Sequence, residues 1–323
     1  MKIGDTQTAH KCVYCAACLL LLPQEIFMSV VLEPWSFHIK TDFSLCGWRT
    51  RFSGKPVIVF MHGNGFSGLT YKPMLDILAQ DFDLIIPDLP GHGDSGHGSE
   101  FNVWNDTAKF MSSVLNNLSH QIQATTPIFG LGHSYGGVIT GLMAGSDDRR
   151  FKKTMLLDPV IFSKGMLSVM TAGNIFGLLD NTPLAKQARG RTSTWASREE
   201  ALEYFHERGA FKGWREDALQ AYVEHALKDC DEGVTLKCPK ELEAKIFSSY
   251  PKKLWSNLKK VNQPCKILVA EKSFPFIARS VEKLTQLRSY SAETVEGGHC
   301  FMQENPEMAA EHIKQWFLGT RVF

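Results

Sequence analysis

Short apolar runs alternate with amphipathic segments along the first half of the chain. The runs "PVIVFMHG" (56–63) and "FDLIIPD" (82–88) are continuous and apolar, which predicts strands buried on both faces of a sheet. Between and after them, "MLDILAQD" (74–81) and "VWNDTAKFMSSVLNNL" (103–118) have the apolar spacing of helices that bury one face. This alternation predicts a mostly parallel sheet with helices on both sides.

The alternation continues, stops and then resumes. Strands predicted at 127–133 and 151–159 flank a helix of small and apolar residues at 135–145, but from about 160 to 255 the patterns are helical only. An all-helical block that interrupts an α/β pattern predicts a lid inserted between two strands. The remaining elements are predicted strands at 36–41, 44–52, 265–271 and 291–297 and predicted helices near 278–288 and 306–319. The predicted segments are an N-terminal extension (1–27), a first core segment (28–159), the helical lid (160–255) and a second core segment (256–323).

Composition and charge fit one large soluble domain. The 323 residues are 44% hydrophobic and 21% charged, and the formal net charge is +1. Nucleic acids and anionic membranes usually select a strong basic excess, so neither is expected as a partner. Most of the eight cysteines are scattered without the spacing of a disulfide framework, which favours a reducing, cytoplasmic location.

The N-terminal residues are unlike the rest of the chain. The run "CVYCAACLLLL" (12–22) is apolar but too short to span a bilayer. It has the length of a signal-peptide core, but the residues before it are only weakly basic and no small-x-small cleavage site follows. We therefore favour an extension over a signal, with Met28 as the functional start. The pattern Cys12-x-x-Cys15-x-x-Cys18 has no fourth ligand nearby, so no metal site is expected there.

The stretch "GLGHSYGGV" (130–138) surrounds Ser134 with glycines between a predicted strand and a predicted helix. In that context Gly132-x-Ser134-x-Gly136 is the pattern of a nucleophile elbow. Such a turn holds the serine at strained backbone angles, and glycines are needed where side chains would collide with the crossing backbone. It also leaves the N–H of Tyr135 free at the helix N-terminus, where negative charge is stabilised. Ser134 is therefore the candidate nucleophile.

A serine hydroxyl needs a base, and the oxyanion that it generates needs hydrogen-bond donors. His299 in "EGGHC" follows the last predicted strand, and an imidazole with an unperturbed pKa of roughly 6.5 accepts a proton near neutrality. The Gly-rich turn "MHGNGFSG" (61–68) follows another buried strand. Its Asn64 N–H, together with that of Tyr135, is predicted to form the oxyanion hole. This chemistry requires no metal and no organic cofactor.

Together these motifs resemble those of the α/β-hydrolase superfamily, in the order HGNG (62–65), DLPGHGDS (88–95), GHSYGG (132–137), LDP (157–159) and GGH (297–299). The resemblance extends over about 36–319 and points to the capped branch of esterases, C–C hydrolases and epoxide-hydrolase-like proteins. It implies the α/β-hydrolase fold, a doubly wound and mostly parallel sheet with an inserted all-helical cap. True epoxide hydrolases and haloalkane dehalogenases of this fold carry an aspartate nucleophile, so Ser134 argues against both. Within DLPGHGDS, the residues interpreted as structural are Asp88, His92 and Asp94.

The acid that should orient His299 is missing from the family's usual place. Members of the family usually carry an aspartate after the strand that corresponds to "CKILVA", and here Ser273 stands at that place in one alignment. Glu271 precedes it by two residues and lies at close to the family's usual separation from His299, so it is the favoured acid. Asp158 is the main alternative, because some members of the superfamily put the acid after that earlier strand. The remaining alternatives are Glu293 and Glu296.

The combined interpretation is a serine hydrolase that cleaves carboxylic esters or related acyl compounds through an acyl-enzyme. One alternative is C–C bond hydrolysis of a diketone-like substrate by the same residues. A second alternative is a weakly catalytic small-ligand receptor, which the irregular acid position keeps open. An aromatic-rich lid favours a small and largely apolar ester-like substrate. The aromatic residues of the lid include Trp195, Tyr204, Phe205, Phe211, Trp214, Tyr222, Phe247 and Tyr250.

Overall fold

A computed structural model of the chain describes residues 30–40, 43–98, 102–146, 150–175, 179 and 182–319. The predictions made for residues 1–28, including the cysteine pattern, lie outside the described residues. The strands are, in chain order, β1 (Leu32–Lys40), β2 (Phe43–Thr50), β3 (Val57–Met61), β4 (Asp83–Pro87), β5 (Ile128–His133), β6 (Phe151–Leu157), β7 (Thr194–Trp195), β8 (Leu227–Cys230), β9 (Gly233–Leu236), β10 (Cys265–Lys272) and β11 (Tyr290–Gly298).

Eight strands of the described residues form one sheet in the order β1-β2-β4-β3-β5-β6-β10-β11. Strand β2 runs antiparallel to its neighbours β1 and β4, and the other adjacent pairs are parallel. Strands β3 and β4 are buried at every position, as their continuous apolar runs require. The predicted mostly parallel sheet of the α/β-hydrolase fold is confirmed.

Helices pack against both faces of this sheet. The α-helices of the described residues, including those of the insertion after β6, are, in chain order, α1 (Lys72–Leu78), α2 (Asn105–Ser119), α3 (Ser134–Ala144), α4 (Lys164–Ile175), α5 (Pro183–Gly190), α6 (Arg198–Phe205), α7 (Glu216–Ala226), α8 (Lys240–Phe247), α9 (Leu254–Leu258), α10 (Pro275–Leu284), α11 (Phe301–Glu304) and α12 (Pro306–Leu318). Along β3, Val57 and Val59 join an apolar cluster with α2, α3 and α10, whereas Ile58 and Phe60 join a second cluster with α1 and α12. Successive residues of one strand thus enter two separate cores, because side chains alternate across a sheet. Within the described part of the chain, no helix has both the length and the apolarity to cross a membrane.

The insertion between β6 and β10 is not all-helical, which corrects the prediction for 160–255. Besides helices α4 to α9, it contains an antiparallel sheet in the order β7-β9-β8. Strands β8 and β9 form a hairpin, and Gly233 at its turn has a φ of +121°; a Cβ there would lie 2.3 Å from the Trp195 carbonyl oxygen. These strands are two to four residues long, too short for a visible period-two pattern, so only the helical periodicity shows in the sequence.

The turn from β5 into α3 brings backbone segments into close contact. Gly136, in the first turn of α3, lies against the end of β3, and a Cβ there would be 2.2 Å from the carbonyl oxygen of Met61 and 2.4 Å from that of His62. A Cβ at Gly132 would lie 2.4 Å from the Gly136 carbonyl oxygen and from Thr140 Oγ1. No side chain fits at either position, which explains why glycines bracket this turn.

We expect Gly136→Ala to destabilise the protein. Its methyl group would overlap a backbone carbonyl that cannot move without displacing β3, and overpacking of this kind lowers the free energy of unfolding by about 1–3 kcal/mol. The matched control is Gly190→Ala, because Gly190 also lies in a helix but, among the described residues outside its own turn of that helix, no heavy atom lies within 4 Å of its Cβ position. That substitution should leave stability unchanged or raise it by up to about 1 kcal/mol. Urea denaturation measures both; equal stability of the two variants would contradict the close packing described for Gly136.

Candidate active site

Ser134 is the first residue of α3 and directly follows β5. Its φ of +55° is in the left-handed region, which a non-glycine residue occupies only when the surrounding structure imposes it. The residue is buried, yet it lines a cavity. This is the strand–turn–helix geometry that the elbow pattern predicts.

His299 lies between β11 and α11 and contacts two of the candidate residues. Its Nε2 is 2.9 Å from Ser134 Oγ, and its Nδ1 is 2.6 Å from Asp158 Oδ2. When Nδ1 carries the proton that it donates to the carboxylate, Nε2 is the acceptor for the serine hydroxyl. The three side chains form a continuous hydrogen-bonded row in which His299 Nε2 lies where it can accept the serine proton.

Asp158 is fully buried and directly follows β6, with a φ of +42°. Its Oδ1 accepts the Ala270 N–H at 3.0 Å, and its Oδ2 accepts the Ser273 hydroxyl in addition to His299. Its own N–H donates to the Leu268 carbonyl oxygen at 2.8 Å. A buried carboxylate is tolerated when its oxygens are hydrogen-bonded, so β10 and the loop of His299 together stabilise Asp158.

This geometry corrects the assignment of Glu271, the acid favoured from the sequence. Glu271 is exposed near the end of β10, and the carboxylate that contacts His299 belongs to Asp158. Ser273, at the place where an aspartate was expected, donates its hydroxyl to Asp158. Glu271 was favoured only because of its separation from His299 along the chain. Because β6 and β10 are parallel neighbours in the sheet, Asp158 after β6 lies at the same edge of the sheet as the end of β10, although it belongs to an earlier part of the sequence.

The two other acidic alternatives do not contact His299 either. Glu293 pairs with Lys266 at 2.5 Å and lies 3.4 Å from His312 Nδ1. Glu296 is exposed on the same strand, β11. Neither carboxylate is therefore available to orient the imidazole.

Asn64 and Tyr135 line the same cavity as Ser134. Tyr135 is the second residue of α3, so its backbone N–H has no acceptor within the helix. Its phenol is held by a hydrogen bond to Thr107 Oγ1 at 2.9 Å. Asn64 is held through Nδ2, which donates to the Glu243 carbonyl oxygen at 3.1 Å. Side-chain contacts thus fix both residues, and a fixed position is what an oxyanion hole requires of its donors.

A second hydrogen-bonded row joins three loops around the cavity. His133 Nε2 donates to the His299 carbonyl oxygen at 2.8 Å, so its Nδ1 is the acceptor for the Tyr71 hydroxyl at 2.6 Å. That hydroxyl accepts the Gly63 N–H at 3.1 Å. Burial, and then the neighbouring His299, lower the pKa of His133 well below its usual value. His133 therefore stays neutral near pH 7 and links the elbow, the histidine loop and the turn after β3.

The loop DLPGHGDS forms a buried polar region beside the turn of Asn64. Asp88 accepts the Gly68 N–H at 2.8 Å and the Asp94 N–H at 3.0 Å, but burial outweighs these bonds and raises its pKa to about 6. His92 Nε2 lies 3.3 Å from Asn64 Oδ1, and burial lowers the pKa of His92 to about 4. Neither side chain is hydrogen-bonded to the serine–histidine pair, in keeping with a structural interpretation of this loop.

Ser134 and His299 open into a cavity of about 350 Å³ with a mainly apolar wall. The lid aromatics that line it are Phe162, Tyr204, Phe205, Phe211 and Phe247. Those that are buried in the apolar cluster without lining the cavity are Trp195, Trp214 and Tyr222. A cavity of this size and character suits a small and largely apolar molecule.

The cavity wall also contains polar groups that the sequence did not indicate. Arg191 Nη1 donates to Glu243 Oε2 at 2.8 Å, and Nη2 donates to the Tyr222 hydroxyl at 3.2 Å. Burial raises the pKa of Glu243, and the guanidinium of Arg191 opposes that rise. The pair is separated by 52 residues, and no motif or periodicity connects its members. The polar lining is completed by Gln187 and Arg208.

Comparison with known proteins supports one family. A family profile described as "Alpha/beta hydrolase family" matches residues 58–312. The type I acyl-CoA thioesterase mpaH of Penicillium brevicompactum is 29% identical over 179 residues, which cover 52% of this chain and 39% of that protein. The monoglyceride lipase of Rattus norvegicus is 28% identical over 146 residues, which cover 43% of this chain and 48% of that protein. The chain thus spans less than half the length of these curated relatives.

The fold is also shared with a solved structure. E-2-(acetamidomethylene)succinate hydrolase superposes with a TM-score of 0.71 at 18% sequence identity, over 90% of this chain and 100% of that chain. Sequence identity this low supports a shared fold but not a shared substrate.

The contacts of Asp158 generate a prediction that separates it from Glu271. Asp158→Asn should lower kcat by about 10³- to 10⁴-fold, because an amide in that place cannot hold the imidazole in the required tautomer or stabilise its charge. Glu271→Gln should change kcat by no more than about twofold, since its side chain is exposed and the carboxylate that contacts His299 is that of Asp158. Turnover of a chromogenic ester measures both, with thermal unfolding to verify that each variant is folded. A larger loss in Glu271→Gln than in Asp158→Asn would reverse the assignment.

Proposed function

The chain belongs to the alpha/beta hydrolase family, and on that premise we propose that it is a serine hydrolase that cleaves carboxylic esters or closely related acyl compounds. One observation carries the proposal: the hydrogen-bonded row from Ser134 Oγ through His299 to Asp158, with distances of 2.9 and 2.6 Å. A serine with a base at this distance, and a base with a buried carboxylate behind it, is the arrangement that activates a hydroxyl for nucleophilic attack.

In the proposed mechanism Ser134 Oγ attacks the carbonyl carbon while His299 Nε2 accepts the hydroxyl proton. Asp158 accepts the Nδ1–H and stabilises the imidazolium that forms. The N–H groups of Asn64 and Tyr135 bind the oxyanion of the tetrahedral intermediate, and each such donor typically contributes about 3–4 kcal/mol to transition-state stabilisation. His299 then gives its proton to the leaving group, which departs and leaves an acyl-enzyme.

Water completes the cycle by the same route. His299 Nε2 accepts a proton from the water as it attacks the acyl carbonyl, a second tetrahedral intermediate forms, and its collapse releases the acid and restores the serine hydroxyl. Each of these steps uses protein groups and water alone.

The cavity and the relatives guide the choice of acyl compounds. A volume of about 350 Å³ with a mainly apolar wall favours a small apolar acyl or alcohol group. The likeness to a type I acyl-CoA thioesterase supports thioesters as substrates, and the likeness to a monoglyceride lipase supports oxygen esters. Both bonds are cleaved through the same acyl-enzyme, so one site serves either chemistry.

The position of Asp158 favours hydrolysis over non-catalytic ligand binding. The receptor interpretation rested on the apparent lack of a suitably placed acid in the sequence. A fully buried carboxylate with three hydrogen-bond donors, one of them His299 Nδ1–H, supplies that acid from β6.

The surrounding histidines make the pH profile informative. Burial lowers the pKa of His62 and of His133 well below the usual value, and it lowers that of His92 to about 4. These three imidazoles remain neutral across the neutral range, so their titration does not contribute to a change in rate there. The buried Asp88 carboxyl, with its pKa of about 6, does titrate in this range, so comparing wild type with Asp88→Asn separates its contribution from that of the general base, the imidazole that must be neutral to accept the serine proton.

We expect the protein to hydrolyse p-nitrophenyl esters, with kcat/KM rising from pH 5 to 8, and Ser134→Ala to abolish this turnover. Acetate through decanoate should give an optimum chain length set by the cavity. The same acyl groups as thioesters, followed with a thiol reagent, test the second bond type. Turnover of either series that persists in Ser134→Ala would contradict the proposal. Folded wild-type protein that cleaves neither series would favour C–C bond hydrolysis instead.

A further inference from the structure

The cavity wall contains one arginine whose charge is balanced and one whose charge is not. Arg191 is neutralised by Glu243 at 2.8 Å and also donates to the Tyr222 hydroxyl. Arg208 lines the same cavity, and among the described residues no carboxylate oxygen lies within ion-pairing distance of its guanidinium. The neighbouring carboxylate of Glu207 accepts the Gly213 N–H instead, at 3.1 Å.

Arg208 is held in a defined place although its side chain is exposed. Its guanidinium carbon lies 4.1 Å from the centroid of the Tyr204 ring, which also lines the cavity. Its backbone N–H donates to the Phe205 carbonyl oxygen at 3.0 Å, and its own carbonyl oxygen accepts the Phe211 N–H at 3.0 Å. The guanidinium lies over the Tyr204 ring and is also hydrogen-bonded to the Tyr204 hydroxyl. Its remaining N–H groups match a carboxylate or a phosphate.

The charges of the cavity wall are therefore uneven. Arg191 and Glu243 cancel, the remaining wall is mainly apolar, and Arg208 adds one uncompensated positive charge. An exposed cation beside a low-polarity cavity is screened less than one on an open surface, so it discriminates between charged and neutral ligands.

We propose that Arg208 binds an anionic group of the substrate, a carboxylate or a phosphate, while the acyl carbonyl lies at Ser134. The substrate class is therefore an anionic ester or thioester. This inference rests on the proposed function, because it assigns the substrate to the same cavity. The anion has two sources that share this chemistry: a terminal carboxylate on the acyl group, or a phosphate on the leaving group of a coenzyme A thioester.

Binding to Ser134→Ala tests the proposal without depending on turnover. In one arm, isothermal titration calorimetry compares monomethyl adipate with methyl hexanoate, which have six-carbon acyl groups with and without a terminal carboxylate. In the other arm it compares hexanoyl-coenzyme A with hexanoyl-N-acetylcysteamine, which lacks the phosphates. For each pair, the Kd of the neutral ligand is divided by the Kd of the anionic ligand, so a high ratio means a preference for the anion.

We expect Arg208→Gln, added to Ser134→Ala, to lower this ratio roughly 10- to 100-fold in one arm, the usual effect of removing a hydrogen bond to a charged group. The arm that responds identifies the source of the anion. Arg208→Lys should lower the ratio less, since it keeps the charge and loses the planar fork. Lys212→Gln is the matched control: Lys212 is exposed and close in sequence but does not line the cavity, so the ratio should not change.

Three results would overturn the proposal: an unchanged ratio in both arms with Arg208→Gln, an equal change with Lys212→Gln, or no binding of any of the four ligands. Ester turnover by the wild-type protein, which retains Ser134, tests the proposed function separately. Normal turnover together with an unchanged ratio would remove only the role of Arg208.

Discussion

The hydrogen bond between Asp158 and His299 is the interaction on which the site depends, and the strand order makes it possible. Strands β5, β6, β10 and β11 are successive neighbours and parallel, so their carboxyl ends meet at one edge of the sheet. Ser134 follows β5, Asp158 follows β6 and His299 follows β11. Ligand and catalytic sites of open α/β sheets form at this edge because side chains from distant parts of the chain converge there.

Burial of the Asp158 carboxylate makes the arrangement specific. A charge in an apolar interior must be hydrogen-bonded, and each of the groups that bond it is fixed by the fold: the Ala270 N–H by β10, the Ser273 hydroxyl by the loop after it, and His299 by the loop after β11. The row through His133 and Tyr71 adds a second tie between the histidine loop and the turn after β3. In the proposed mechanism the three side chains are therefore held in place before substrate binds, and such preorganisation is the main source of electrostatic stabilisation in enzymes.

Much of the fold could be predicted from the sequence because its strands are buried on both faces. The continuous apolar run at 56–63 contains β3 (Val57–Met61). The glycines around Ser134 lie where a side chain would overlap neighbouring atoms, Gly136 against the end of β3 and Gly132 against α3. The choice of Asp158 as the acid could not be predicted in the same way. It depends on β6 lying next to β10 in the sheet, and the spacing of residues along the chain does not show which strands are neighbours. The short strands of the lid and the pairing of Arg191 with Glu243 were missed for a related reason: both depend on contacts between segments with no local signal.

The central claim is that Ser134 is an activated nucleophile, and covalent labelling tests it most directly. Folded protein would be treated with a fluorophosphonate at pH 8 and at pH 5, and the modified peptide would be identified by mass spectrometry. The account predicts one adduct, on Ser134, that forms faster at pH 8, because a neutral imidazole must accept the serine proton. No adduct on the folded protein, or an adduct on a different residue, would contradict it.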